Sequence, residues 1–191
     1  MHKNIFVGEK VRLLAMNPEK DGKLMSEWRR DSDYARLLDS DPVRLWSANQ
    51  MKDWFENKQK AEAFEEINFM IYPLESEDPI GFIDLDGIAW HHRTSWVGIG
   101  IGNRDYWSQG YGSDALQILS RYAFEELELY RLNLNVFSYN TRAIQAYENV
   151  GYKVEGTIRD ALHRDNQRWD LVFMGLLRED WKKTLDQNLK N

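Results

Sequence analysis

The sequence predicts an α+β domain, on three grounds. Strand-like runs dominate its middle and its end. Helical periodicities fall between some of these runs without a regular strand–helix alternation, and three helical pieces crowd the N-terminal third. A doubly wound parallel sheet would need the alternation that is missing. At 191 residues the chain is sized for a single domain over 1–191, and its 42% hydrophobic content is enough for a sizeable core.

Val11 to Ala15 is the first predicted strand, and Pro18 to Trp28 the first helix, with Leu24, Met25 and Trp28 on one side. A short helical piece is expected over Asp33 to Leu38. Ser47 and Gln50 have capping-box spacing and start a helix running to about Ala61, with Met51, Trp54 and Phe55 inward. These elements make up residues 1–65. Two β-rich runs follow, Asn68 to Leu74 and Ile80 to Ala89, parted by the acidic, proline-bearing loop Glu75-Ser76-Glu77-Asp78-Pro79. Ser95 to Ile101 is a third central strand, in which Gly98 and Gly100 mark a bulge or a close approach to the backbone. After a glycine turn, Ala115, Leu116, Leu119, Tyr122, Ala123 and Leu127 recur at helical spacing. Arg131 to Phe137 alternates as a strand. Asn140 is a good N-cap for the next helix, and Gly151 is placed to end it. Val154 to Ala161 and Arg168 to Leu177 are two more strands, joined near Asp165-Asn166. They complete a region 66–177, and a terminal helix, Glu179 to Leu189, occupies 178–191.

Composition narrows the function classes. There are no cysteines, which excludes disulfides, thiolate metal sites and cysteine nucleophiles. No apolar run reaches about 18 residues and the N-terminus lacks a signal-peptide h-region, so the expectation is a cytoplasmic protein with no membrane partner. The net charge of −6, from 25 basic and 31 acidic residues, argues against nucleic acid as a partner and is compatible with a cationic one. Eight tryptophans is a high count. Most are expected in the core or at subunit contacts such as those of a homodimer, with some walling a pocket.

Two segments carry chemistry. Trp107-Ser108-Gln109-Gly110-Tyr111-Gly112-Ser113 is a glycine turn opening a helix. A helix N-terminus has free N–H groups and a partial positive end, and glycines let a phosphate approach them without a Cβ in the way. Taken alone, such a turn is more often only a tight turn. It is not the dinucleotide fingerprint, because the third glycine and the βαβ context are missing. In the second segment, Asn140 and Tyr147 are seven residues apart and so lie within about 20° of each other around a helix. Singly, the first reads as a cap and the second as packing.

In combination the order of parts is specific. Gly98-Ile99-Gly100-Ile101, Tyr106 to Ala115, Asn140-Thr141-Arg142-Ala143-Ile144, Tyr147-Glu148-Asn149-Val150-Gly151-Tyr152 and Glu155 to Asp160 resemble the GNAT superfamily of acetyl-CoA-dependent N-acetyltransferases. The likeness is to the branch with ribosomal-protein alanine and spermidine acetyltransferases, and spans about residues 80–177. It implies a mixed, mostly antiparallel sheet flanked by helices, with splayed central strands holding acetyl-CoA in the 66–177 core and acceptor-side helices before it. Ile99, Gly100 and Ile101 would then meet the pantetheine arm, and Gln109, Gly110, Tyr111, Gly112 and Ser113 would cradle the pyrophosphate. Asn140 would bind the pantetheine or thioester region, and Tyr147 would protonate the departing thiolate. The implied reaction is direct acetyl transfer, in a ternary complex and without a metal, to a primary amine such as a protein N-terminus, a polyamine or another small amine.

Two positions depart from the family pattern. Trp107 stands first in Gln/Arg-x-x-Gly-x-Gly/Ala, which leaves the backbone cradle intact. Ser95-Trp96-Val97 stands where many relatives carry a Glu in the strand ahead of the turn, so the usual candidate base is missing. Asp84 and Asp86, two apart on one strand face, are the better candidates to take the amine proton, ahead of His91 and His92. Two other classes share these features: a catalytically silent acyl-CoA-binding or sensing module of the same fold, and an unrelated α+β binding domain whose glycine turn is structural.

Overall fold

A computed structural model describes residues 4–60 and 65–188. Seven strands form one sheet: β1 (Val11–Ala15), β2 (Ile67–Pro73), β3 (Gly81–Ala89), β4 (Thr94–Ile101), β5 (Arg131–Phe137), β6 (Lys153–Arg164) and β7 (Gln167–Leu177), in the order β1-β2-β3-β4-β5-β7-β6. Every neighbouring pair is antiparallel except β4 with β5. The helices are α1 (Pro18–Trp28), α2 (Ser32–Leu38), α3 (Ala48–Lys60), α4 (Tyr111–Arg121), α5 (Thr141–Val150) and α6 (Arg178–Asn188). None described is long and apolar enough to cross a membrane.

Around β2 the sheet is covered on both faces, whereas β6 at its far edge is almost wholly exposed. Along β2, Phe69 and Ile71 enter one core with Leu116, Leu119 and Phe124 from α4 and the turn after it, while Met70 and Tyr72 enter a second with Met25, Trp28, Met51 and Phe55. The period of two in a strand explains how adjacent residues serve opposite layers. The predicted caps are in place. Ser47 N–H donates to Gln50 Oε1 (2.9 Å) and Gln50 N–H to Ser47 Oγ (3.2 Å), the reciprocal pair that starts α3. Gly151 ends α5 at φ +108°.

The single parallel pairing positions the site. β4 and β5 pair only at Thr94–Arg131, Ser95–Leu132 and Trp96–Asn133. Beyond that point β4 keeps its register with β3 as far as Ile101, and β5 keeps its register with β7 as far as Phe137. Each strand holds its outer neighbour and loses its inner one, so the sheet opens between them.

Some expectations need correcting. Gly98 and Gly100 are not bulged: register with β3 is unbroken there, and the shift lies between Asp86 and Ala89. Trp54 does not point inward with Met51 and Phe55 but is 38% exposed, edge-on to Trp46 at 6.4 Å. Being on the same helix does not put it in the core, because the stripe that faces the sheet is already filled by its neighbours. The helix after the glycine turn closes in a π-helical turn, Tyr122–Glu126. The expected ends of α3 at Ala61 and of α6 at Leu189 lie outside the described residues.

One buried carboxylate fastens the N-terminal segment. Asp114, in the first turn of α4, accepts the backbone N–H groups of Glu9 (3.1 Å), Lys10 (2.8 Å) and Val11 (2.9 Å). It thereby ties the start of the edge strand β1 to the helix that begins at the glycine turn. Removing a charged acceptor that leaves buried donors unsatisfied costs about 1–3 kcal/mol or more. Asp114→Ala is therefore expected to lower the unfolding free energy by about 3 kcal/mol, read from the midpoint of urea denaturation at unchanged slope.

Candidate active site

Where β4 and β5 part, a cleft of about 1130 Å³ opens across the sheet. Of the residues singled out in the sequence, it gathers Asp84, Asp86, Ile99, Gly100, Ile101, Gly110, Gly112, Ser113, Asn140 and Tyr147 in its lining. Gln109 and Tyr111 are not among them. The Gln109 side chain folds back to the carbonyl of Asp105, and the Tyr111 hydroxyl reaches Glu75 (3.2 Å) while its ring packs edge-on to Tyr106. What these two bring to the turn is backbone N–H. His91 and His92 pack against each other on the turn between β3 and β4, away from the cleft.

The glycine turn is built for close approach. Ser108 (φ +59°) and Gly110 (φ +86°) take left-handed backbone on either side of Gln109. α4 starts at Tyr111 with no side-chain cap, and its first turn closes only through Asp114 N–H to Gly110 C=O (3.0 Å). The N–H groups of Tyr111, Gly112 and Ser113 therefore have no intrahelical partner and lie at the positive end of the helix. Gly112 has helical backbone and space for a Cβ, which would lie 3.8 Å from Ile101 and 3.9 Å from Ile99. Packing within the fold does not require a glycine there.

On the opposite wall, Asn140 Oδ1 accepts from Ala143 N–H (3.3 Å), so the predicted cap is real and uses only the carbonyl of the side chain. The NH₂ group is not consumed by it. Tyr147 sits two turns further along α5 and is 8% exposed. Burial, with the Asp84 carboxylate adding to it, pushes its phenol up to about 12.

The glycines of β4 explain how carboxylate and strand fit together. Asp84 is the register partner of Gly98, and its Oδ1 accepts the Gly98 N–H (3.1 Å). A Cβ on Gly98 would fall 2.7 Å from that oxygen, and one on Gly100 would fall 2.8 Å from the Tyr34 hydroxyl and Phe82. Close approach, not a bulge, is what both positions require. Asp86 stands opposite Trp96, whose indole crosses the base of the opening to lie edge-on to Phe173 on β7 (6.2 Å).

Three features were not read from the sequence. Trp107 donates Nε1–H to the carbonyl of Ile101 (2.7 Å), which lays its ring against the end of β4. The Arg142 guanidinium covers that ring at 3.6 Å, and Arg104, ion-paired to Asp31 and Asp33 at the start of α2, lies over it at 5.1 Å. The third is a clasp: Arg164 at the end of β6 donates to the carbonyls of Arg36 and Asp39 and to the Tyr139 hydroxyl, fixing the β6–β7 turn to the end of α2. The Asn140-to-Tyr147 stretch contained Arg142 in plain sight, but its partner is 35 positions away.

Comparison with known proteins agrees with this geometry. The profile of the acetyltransferase (GNAT) domain matches residues 10–153. An uncharacterized N-acetyltransferase, p20, of Bacillus licheniformis is 24% identical over 173 residues, 91% of this chain and 96% of that protein. Spermidine N(1)-acetyltransferase of Escherichia coli K12 is 28% identical over 101 residues, 53% of this chain and 54% of that one. The crystal structure of spermidine N-acetyltransferase from Vibrio cholerae in complex with CoA and spermine superposes with a TM-score of 0.79 at 19% identity, covering 90% of this chain and 98% of that one. The chain belongs to the GNAT acetyltransferase family. It is an acyltransferase with that family's fold, a seven-stranded mixed sheet opened between two central strands.

Gly112→Asp separates fold from ligand. An Asp in the first turn suits the helix dipole, and the site has room for the Cβ, so the melting temperature without ligand should stay within a few degrees of the parent. The added carboxylate lies where an anion would approach the free amides. Thermal stabilisation by coenzyme A should therefore vanish in the variant while persisting in the parent.

Proposed function

We propose that the protein transfers the acetyl group of acetyl-CoA to a primary amine by direct attack within a ternary complex. The observation that carries this reading is the meeting of Asp84 and Tyr147 in one cleft, from opposite sides of the opening between β4 and β5. In this reading residues 66–177 hold the co-substrate, and the helices before them shape the acceptor side.

Acetyl-CoA supplies an activated thioester. Gly110 to Ser113 receive the pyrophosphate on backbone N–H groups, and Asn140 and the Ile99–Ile101 backbone hold the pantetheine arm. The acceptor enters from the side of Asp84, Asp86 and the rings of Trp46, Trp54 and Trp96, all of which line the cleft. Carboxylates and aromatic faces both favour an organic cation. The spermidine acetyltransferases among the relatives support a small amine as an acceptor.

An alkylamine with a pKa of about 10.4 is neutral in roughly one molecule per 2,500 at pH 7, so presenting it unprotonated costs about 4–5 kcal/mol. In this reading Asp84 takes that proton. Its carboxylate is held by the Gly98 amide, on β3 and not on the β4 position where Trp96 stands. The β4 backbone beyond Trp96, having lost β5, offers N–H to the oxyanion that forms on attack. Tyr147 gives its proton to the departing sulfur. With its phenol near 12 it remains protonated at every working pH, so the rate should rise as the amine deprotonates and show no fall below about pH 10.

Tyr147→Phe keeps the ring and removes the donor. kcat should drop by about 100-fold, at the low end for general acid catalysis because a thiolate is a tolerable leaving group, with KM for acetyl-CoA little changed. Asp84→Asn should impair use of the acceptor and leave acetyl-CoA affinity near that of the parent. The measurement is thiol release over a panel of polyamines, small alkylamines and peptide N-termini. A parent protein that binds acetyl-CoA yet releases no thiol with any amine would make it a binding or sensing module instead.

A further inference from the structure

The net charge of −6 poses a problem for a cleft that receives an anion. Among its described lining residues only Arg29 and Arg142 are basic. Arg29 is spoken for, since its guanidinium lies 3.6 Å from the Asp39 carboxylate. Arg104, nearby, is neutralised by Asp31 and Asp33 and does not line the cleft. Arg142 alone of these lies without a carboxylate partner among the described residues. It is nonetheless rigidly held, stacked at 3.6 Å on an indole that is itself fixed by the hydrogen bond from Trp107 Nε1 to Ile101. Burial disfavours its charged form and Arg104 adds to the effect. A half-buried guanidinium on a fixed platform, with no carboxylate partner among the described residues, suits an anion.

Its place along the cleft says which anion. Arg142 lies two residues after Asn140, on the first turn of α5, and its platform lies three residues before Gly110. On the proposed assignment it therefore neighbours both the side chain given to the pantetheine arm, on its own helix turn, and the glycine turn given to the pyrophosphate, whose first residue it stacks on. We infer that Arg142 binds the phosphate attached directly to the pantetheine arm, with Trp107 as its positioning residue. The cation that an Arg would bring at position 107 comes instead from α5 across the cleft, and the indole at 107 provides the surface on which it rests. A guanidinium suits this role better than an ammonium because it stacks through its plane and still presents its edge donors to phosphate oxygens.

The inference rests on coenzyme A being the ligand of the cleft, and binding can be measured without any acceptor. Calorimetric titration of the parent and of Arg142→Gln would use pantetheine, 4′-phosphopantetheine, dephospho-coenzyme A and coenzyme A in turn. In the parent the step from pantetheine to 4′-phosphopantetheine should tighten binding by roughly tenfold to a hundredfold, the range for a charge-assisted hydrogen bond, and added salt should shrink it. In Arg142→Gln that step should fall to within about threefold of none, with pantetheine itself bound as in the parent. Arg142→Lys should recover only part of it, and Trp107→Phe, which keeps a ring but loses the indole hydrogen bond, should lie between Lys and Gln. Circular dichroism melts of each unliganded variant separate these losses from unfolding. An unchanged phosphate step in folded Arg142→Gln would overturn the inference, as would a loss confined to the step from dephospho-coenzyme A to coenzyme A. A parent that binds none of the four would instead overturn the coenzyme A reading beneath it.

Discussion

A parallel pair of strands that stays paired for three residues and then separates is the constraint on which the rest of this molecule depends. Hydrogen-bonded strands do not part at no cost, because each freed N–H and C=O must find another partner. Here the outer ladders hold both strands rigid while the inner edges are exposed to the cleft. On the proposed reading those edges are recognition surface: polar backbone, fixed in place, with no side-chain entropy to lose. The glycine turn repeats the same economy, offering bare N–H groups at the start of α4. Both halves of the site are thus made largely of main chain, and side chains are reserved for tasks that main chain cannot perform.

In the reading proposed above, those tasks are charge and proton transfer, and the side chains concerned sit against particular neighbours. Asp84 is oriented by an amide of β4, a contact that exists only because position 98 has no Cβ. Arg142 is oriented by an indole. Tyr147 is buried in the core beneath the cleft, with its ring tilted against Tyr152 at 5.9 Å. In the proposed chemistry the carboxylate sits on β3 while a tryptophan, Trp96, occupies the β4 position. A strand face has only so much width. Trp96 lies against Phe173 at the base of the opening, and the carboxylate of Asp84 stands one strand further out.

Much of this was legible in the sequence, and the pattern of what was legible is itself physical. Periodicity located the strands because one-sided or two-sided burial imprints alternation or apolar runs on short segments. Caps such as Ser47 with Gln50, and Asn140, were legible because their partners lie within three residues. The helical stripe of α3 was right for Met51 and Phe55 and wrong for Trp54, since a moment gives a direction and not its width. Gly98 was rightly marked as special, yet the sequence offered two reasons for it and only the packing of Asp84 chose between them. Arg142 on Trp107, Asp114 beneath the segment Glu9 to Val11, and Arg164 on α2 could not be read at all. Each joins residues from 35 to more than 100 positions apart, and nothing local distinguishes such an arginine or aspartate from a solvated one.

The clasp made by Arg164 has a consequence for how this scaffold can diverge. Two of its partners on the α2 side are main-chain carbonyls, those of Arg36 and Asp39. A carbonyl is present whatever residue occupies the position. This part of the clasp therefore survives substitution of the α2 side chains, so long as the helix ends where it does, and the Arg36 side chain adds an ion pair to Asp165 on the β6–β7 turn. On the proposed reading, in which the N-terminal helices shape the acceptor side, point substitutions there can alter acceptor preference while Arg164 still holds the end of the helix through main chain.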